Sequence, residues 1–230
     1  MTTKTDYSPK TLNDFVFYND ETEQTIRAIV SGEFEVPCQG TTGLLFYGPA
    51  GTGKTALARQ LPDFIETARG GSGTHVDYFS CGDGDDGGAK LIVDLRKGLS
   101  RSPLNYSYVN FYVLDEVDHL QAKIQQSLKG ILNSKYSLFI LTTNNITKVD
   151  PILKDRCMCL PFLQAPATKW LPLAKRIATD KGLDGIGDDL LLQICKQSNG
   201  SARELYRRIS TTAISVKATT AVLFGNAALN

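Results

Sequence analysis

The sequence predicts an α/β fold in which helices sandwich a parallel β-sheet and a small helical domain follows. Three observations predict it. Residues 41–55 form a short apolar stretch that runs into a glycine-rich turn. A β-branched and aromatic stretch, Tyr108–Leu114, ends in acidic residues, as a buried parallel strand does at the ligand-binding edge of such a sheet. From Ala167 onward the strand patterns stop and only helical patterns remain.

Composition limits the class of protein. The chain has 230 residues and is 42% hydrophobic, enough for one large domain with a small appendage. A net charge of +1 gives no overall attraction to nucleic acid, so any such contact has to be local. Five scattered cysteines favour reduced thiols over a disulfide framework. No apolar run has the length of a membrane span and no signal-peptide pattern is present, so we expect an intracellular protein without a membrane contact.

The elements alternate between strand and helix before the helical part begins. The predicted strands are 41–47, Val76–Ser80, Tyr108–Leu114, Ser137–Thr142 and Met158–Leu160. The predicted helices are Asp20–Ser31, one from the glycine-rich turn to about Arg69, Ala89–Leu99, Gln121–Asn133, Lys169–Lys181, Asp188–Gln197 and Ser201–Lys217. Prolines at 161 and 166 mark the boundary, which predicts a nucleotide-binding domain at 1–164, a helical domain at 165–217 and a short tail at 218–230.

The glycine-rich turn matches the pattern G-x-x-x-x-G-K-[ST]. Its glycines allow successive N–H groups to point at a polyphosphate, Lys54 adds a charge for the β- and γ-phosphates, and Thr55 offers a hydroxyl to Mg²⁺. The predicted binding residues are Gly48, Pro49, Ala50, Gly51, Thr52, Gly53, Lys54 and Thr55. Tyr7 and Pro9 offer flat apolar surfaces that suit a nucleotide base.

Polar side chains follow two of the predicted strands. Asp115 can hold Mg²⁺ and Glu116 can orient a water for attack on the γ-phosphoryl group. Asn144 ends the next strand, where polar amides face the ligand crevice. From the residues alone, Arg156 is either a surface charge or a side chain that acts on something outside the chain.

Together these segments resemble an AAA+ ATPase of the P-loop NTPase class, and within it the clamp-loader clade, the replication factor C subunits and their relatives. Gly48–Thr55 resembles the Walker A motif, Leu114–Asp118 resembles Walker B with Glu116 as its catalytic glutamate, and Asn144 is similar to sensor 1. Asp155-Arg156-Cys157 resembles the Ser-Arg-Cys motif, which implies that Arg156 is an arginine finger acting on a neighbouring subunit. Gly200–Arg203 resembles the start of the sensor 2 helix in a helical lid, which implies that Arg203 lies near the γ-phosphate of its own subunit.

The resemblance implies a homo- or hetero-oligomeric ATPase that uses ATP and Mg²⁺ to load or remodel a replication protein, a sliding clamp or a helicase, with DNA as a further partner. Three features depart from the family pattern: Ser8 replaces an arginine, Gly87 replaces another, and the sequence contains no helical collar after the lid. Assembly through the ATPase domains alone, a longer natural chain or a different function would each account for the third.

Four alternatives stay open. One is a helicase loader or initiator, and another is a protein-remodelling ATPase that does not contact DNA. A remodelling ATPase that translocates proteins needs an aromatic residue in a pore loop, and the segment between Cys81 and Lys90 has none. Thr147–Asp150 mimics the guanine-reading [NT]-K-x-D motif of a GTPase, but Asp118 stands where its partner motif requires glycine. A non-hydrolysing structural subunit conflicts with the intact Lys54, Asp115, Glu116 and Arg156.

Overall fold

The computed structural model describes residues 7–38, 40–82 and 88–225, with side chains up to residue 216. The segment between Cys81 and Lys90, which lacks an aromatic residue, falls largely on 83–87, outside the described residues. The chain divides into two compact units. One is Pro9–Leu163, and the other joins the residues before Pro9 to those after Leu163.

The larger unit is built on a five-stranded sheet with the order β2-β3-β4-β1-β5, and every pair of neighbours is parallel. Its strands are β1 (Gly43–Tyr47), β2 (Val76–Ser80), β3 (Asn110–Asp115), β4 (Ser137–Thr143) and β5 (Cys157–Pro161). Its helices are α1 (Asp20–Ser31), α2 (Lys54–Ala68), α3 (Ala89–Leu99), α4 (Ala122–Ile131) and α5 (Pro151–Asp155). The predicted α/β class with a parallel sheet between helices is confirmed.

Two hydrophobic clusters cover the two faces of the sheet because successive strand residues point to opposite faces. Leu44 and Phe46 of β1 join the cluster that includes α1 and α2. Leu45 between them joins the cluster that includes α3, α4 and α5. Burial on both faces explains why these strands are almost continuously apolar.

The parallel arrangement places the carboxyl ends of the strands along one edge of the sheet. Tyr47 at the end of β1 is in register with Thr143 at the end of β4, and Ser80 of β2 with Asp115 of β3. The residues that follow these strands therefore meet at one edge.

The smaller unit is helical, with α6 (Ala167–Asp180), α7 (Asp188–Gln197) and α8 (Ala202–Gly225). Their inward faces carry buried side chains such as Trp170, Ile194 and Leu205. Ser201 caps the start of α8, since its Oγ accepts a hydrogen bond from the Glu204 N–H over 3.2 Å. The predicted end at Lys217 is too early: α8 continues to Gly225, because residues 218–224 contain neither glycine nor proline.

Of the residues that the structure describes, none form a helix that is long and apolar enough to cross a membrane.

Candidate active site

The glycine-rich turn connects β1 to α2 at the carboxyl edge of the sheet. Gly48 has a φ of 145°, and a Cβ at this position would lie 2.2 Å from the carbonyl oxygen of Phe162. Neighbours hold the turn on both sides: the Gly48 N–H donates to Thr143 O (3.3 Å) and the Phe162 N–H donates to Tyr47 O (2.7 Å). Only glycine fits where the turn begins.

Lys54 lies inside this turn with 6% of its surface exposed. Its ammonium group donates to the carbonyl oxygens of Gly48 (2.8 Å) and Pro49 (2.7 Å). Burial lowers the pKa of Lys54 to about 8, and the carboxylates of Asp115, Asp118 and Glu116 oppose that shift. The turn therefore holds a buried cation beside its own backbone.

Asp115 receives hydroxyl donors from three different elements. Its Oδ1 accepts hydrogen bonds from Thr55 of α2 (2.8 Å) and Thr142 of β4 (2.5 Å), and its Oδ2 accepts one from Tyr78 of β2 (2.5 Å). Burial, and then the hydrogen bond to Asp115, raise the pKa of Tyr78, so the phenol keeps the proton that it donates. Asp115 is 92% buried, and its carboxylate accepts three hydrogen bonds, which compensate the buried charge.

Glu116 follows in the left-handed conformation, with a φ of 61° that non-glycine residues rarely adopt. Its N–H donates to Thr142 Oγ1 over 3.0 Å. Its carboxylate accepts a hydrogen bond from the side-chain amide of Asn144 (3.4 Å) and lies 3.6 Å from Nδ1 of His119. The backbone thus turns Glu116 away from Asp115 and toward Asn144.

Asp118 fixes the end of β4. Its Oδ1 accepts hydrogen bonds from Thr143 Oγ1 (2.7 Å) and from the Asn144 N–H (3.4 Å). Asp118, which stands where the GTPase motif requires glycine, therefore positions Asn144, the residue that faces Glu116.

Arg156 lies at the amino ends of the strands, opposite the carboxyl ends where the glycine-rich turn lies. It immediately precedes β5, and its carbonyl oxygen accepts hydrogen bonds from the N–H groups of Thr42 and Gly43 at the start of β1. Its Nε is buried and has no hydrogen-bond partner among the described residues. At about 3.3 Å per residue, the five residues of β1 separate these two edges by roughly 16 Å.

The remaining predicted site residues, Arg203, Tyr7 and Pro9, do not all belong to the same compact unit. Arg203 is exposed on the first turn of α8, in the helical unit. The ring of Tyr7 lies 5.2 Å from the ring of Tyr206 within that unit, whereas Pro9 belongs to the sheet unit. The roles predicted for these three residues stay predictions.

The residues at the carboxyl edge fit ATP and Mg²⁺. Gly53 precedes α2 without a side chain that could cap its first N–H groups, so phosphate oxygens can take that place beside Lys54. The hydroxyl of Thr55 and the carboxylate of Asp115 are oxygen ligands of the kind that Mg²⁺ prefers. No three His, Cys, Asp or Glu side chains form a metal cluster within the described ranges.

Sequence reasoning missed two side chains that bind Asp115. Thr142 ends the predicted strand Ser137–Thr142, but its contact with Asp115 depends on β4 lying directly beside β3. Tyr78 carried no signal, because only the strand order places β2 against β3.

The fold and this edge define a nucleotide-binding protein of the ATPase type. The family model described as "ATPase family associated with various cellular activities (AAA)" matches residues 44–162, about half of the chain. The chain belongs to the AAA family, which confirms the predicted fold and the predicted membership of an ATPase family.

Curated relatives agree with the predicted clade. Replication factor C subunit 4 of Caenorhabditis elegans is 30% identical over 210 residues, covering 86% of this chain and 58% of that protein. The replication factor C small subunit of Picrophilus torridus is 30% identical over 201 residues, covering 86% and 59%. Small subunit 1 of Pyrobaculum arsenaticum is 26% identical over 215 residues, covering 92% and 61%. The chain thus spans about three fifths of the length of these relatives and resembles a clamp-loader subunit over that part.

Solved structures support the fold. RuvB of Thermotoga maritima, described as a Holliday junction branch migration motor, matches with a TM-score of 0.67 at 18% identity, covering 88% of this chain and 64% of that one. A mutant of the same protein matches with a TM-score of 0.71 at 17% identity, covering 93% and 68%. At this identity the likeness concerns the fold alone.

Proposed function

We propose that this chain is an ATP-hydrolysing subunit of an oligomeric ring or spiral that loads or remodels a DNA-replication protein, a sliding clamp or a helicase. One observation carries the proposal: Asp115, Glu116 and Asn144 converge beside the turn Gly48–Thr55 at one edge of the sheet. The similarity to replication factor C subunits supports the choice of partner. An intracellular location follows from that role.

The turn Gly48–Thr55 binds the phosphates of ATP through its N–H groups and through Lys54, and Tyr7 and Pro9 contact the base. Thr55 and Asp115 would hold Mg²⁺, which would neutralise charge on the β- and γ-phosphates. The buried ammonium of Lys54 then exchanges two carbonyl acceptors for phosphate oxygens, a stronger charge-assisted contact.

Glu116 orients the attacking water, and its carboxylate lies beside Asn144 and not among the hydroxyl donors around Asp115. Asn144 holds that water or the γ-phosphate, and its hydrogen bond to Glu116 supports this placement. Arg203 acts on the γ-phosphate of its own subunit.

Arg156 acts on the nucleotide of a neighbouring subunit. The roughly 16 Å between the two edges of β1 prevents it from serving the turn that follows the same strand. Arg156 is partly exposed, as a side chain that acts on a neighbouring subunit requires.

Particle mass tests the proposal directly. We expect the mass measured by light scattering to increase to a multiple of the 25.1 kDa subunit with a slowly hydrolysed ATP analogue, and primed DNA to favour the larger particle. The variant Lys54→Ala should stay small under the same conditions because it loses the phosphate contact. A monomer that hydrolyses ATP fully at every protein concentration would contradict the oligomer.

A further inference from the structure

Tyr78 connects the Asp115 carboxylate to the surface of α2. Its hydroxyl donates to Asp115 Oδ2 over 2.5 Å, across the edge of the sheet formed by β2. The guanidinium carbon of Arg59 lies 3.8 Å from the centre of the Tyr78 ring. A phenol from the edge strand is thus held between a cation and the acid that we propose holds Mg²⁺.

The position of this hydrogen bond matters because it occupies the second oxygen of the carboxylate. Thr55 and Thr142 both donate to Oδ1. Rotation about χ2 of an aspartate is soft, so donors on one oxygen leave the plane of the group poorly fixed. The donor on Oδ2 fixes the plane, and with it the direction in which the remaining lone pairs point.

Arg59 in turn fixes the ring. It lies four residues after Thr55, so both residues occupy the same face of α2. Thr55 contacts Asp115 directly and Arg59 contacts it through Tyr78. A planar guanidinium stacked on a tyrosine ring stabilises that ring orientation through the cation–π interaction.

We propose that Tyr78 is a positioning residue for the divalent cation, that its hydroxyl sets the orientation of the Asp115 carboxylate, and that Arg59 holds Tyr78 in place. The inference rests on the proposed function, since it assumes that Asp115 holds the cation. Loss of an outer partner of a metal ligand typically reduces metal affinity 10- to 100-fold.

The test compares Tyr78→Phe with Tyr112→Phe as a matched control. Tyr112 is a buried tyrosine in the adjacent strand β3, and it stacks on Phe139 with ring centres 5.1 Å apart, in the hydrophobic cluster on the other face of the sheet. Mn²⁺ binding is measured by electron paramagnetic resonance with a non-hydrolysable ATP analogue present. Affinity for a fluorescent ATP analogue is measured separately in EDTA.

We expect Tyr78→Phe to raise the Mn²⁺ concentration for half-saturation by about 10-fold while nucleotide affinity in EDTA changes less than about 2-fold. Arg59→Gln should shift Mn²⁺ binding in the same direction by a smaller factor, and Tyr112→Phe should shift neither Mn²⁺ binding nor nucleotide affinity.

An unchanged Mn²⁺ titration for Tyr78→Phe would overturn the inference. The inference would also be overturned if both tyrosine variants lost Mn²⁺ binding, nucleotide affinity in EDTA and thermal stability to the same extent. That result would show that Tyr78 has only a structural role. Failure of the wild-type protein to bind ATP with Mn²⁺ would instead contradict the proposed function.

Discussion

The side-chain amide of Asn144 donates a hydrogen bond to the carboxylate of Glu116 over 3.4 Å. Two backbone features produce this pair. The left-handed conformation of Glu116 turns it away from the strand axis, and Asp118 holds the N–H of Asn144. Strained backbone at such a position is typical of functional sites, where the surrounding hydrogen bonds maintain it.

The first prediction concerns the variant Glu116→Gln. We expect ATP binding to stay nearly intact and ATP turnover to fall by about 10² or more, because the amide cannot orient and activate the water while the phosphate contacts remain. Turnover is measured by phosphate release and binding with a fluorescent ATP analogue. Glu33→Gln, an exposed residue in the turn after α1, is the control and should match the wild type. Turnover of Glu116→Gln within a few fold of wild type would remove Glu116 from this role.

The second prediction concerns Arg156→Ala. Turnover per subunit of the wild-type protein should rise with protein concentration, and that of the variant should be lower by about 10³ because the arginine of a neighbour is missing. Mixing Arg156→Ala with Glu116→Gln should restore part of the activity, since some interfaces then pair an intact glutamate with an intact arginine. Mixing Arg156→Ala with the double variant Glu116→Gln/Arg156→Ala forms no such pair and should restore no activity. Equal activity at all concentrations would refute an arginine that acts in trans.

Much of this site could be predicted from sequence because its residues are contiguous. The turn Gly48–Thr55 and the pair Asp115-Glu116 are short segments in which residue type and spacing carry the chemistry. The contacts of Tyr78 and Thr142 depend on which strands are neighbours, and chain order does not give the order β2-β3-β4-β1-β5. The end of α8 was also missed, because helix propensity beyond Lys217 is not visible as an amphipathic period.

The third prediction concerns pH and Lys54. Its pKa of about 8 lies below the ordinary 10.5, so the free protein loses this proton above pH 8. Phosphates favour the charged form, and ATP binding above pH 8 should therefore take up a proton and weaken by up to about tenfold per pH unit. Calorimetry at pH 9 in two buffers of different ionisation enthalpy measures the uptake, and Lys54→Met should abolish it.

The same shift has a consequence for stability without nucleotide. Between pH 8 and 10.5 the unfolded chain keeps a proton on Lys54 that the folded chain has lost, so the contribution of this residue to the free energy of unfolding rises with pH in that window. Denaturant titrations of wild type and Lys54→Met across this window should diverge. Parallel pH profiles would show that Lys54 titrates normally.

The fourth prediction concerns DNA and the cations near α3. Lys90, Arg96, Lys97 and Arg101 are exposed. Arg101, however, forms an ion pair with Asp77 and lies 3.3 Å from Nε2 of His75, while Lys97 lies 3.6 Å from Asp94. The test leaves the ion pair of Arg101 with Asp77 intact and substitutes Lys90 and Arg96, which lie on α3 itself.

If α3 follows a DNA backbone, each cation that contacts a phosphate releases a counterion, and ATP-dependent binding should weaken steeply with salt. Substituting glutamine for both Lys90 and Arg96 should then reduce the slope of log affinity against log salt by about two units. Substituting glutamine for both Lys135, in the loop before β4, and Lys196 of α7 is the control and should leave the slope unchanged. Fluorescence anisotropy with single-stranded, duplex and primed DNA measures these slopes. Absence of binding to all three in the ATP state would exclude DNA as a direct ligand and leave a protein as the partner on which the ATPase acts.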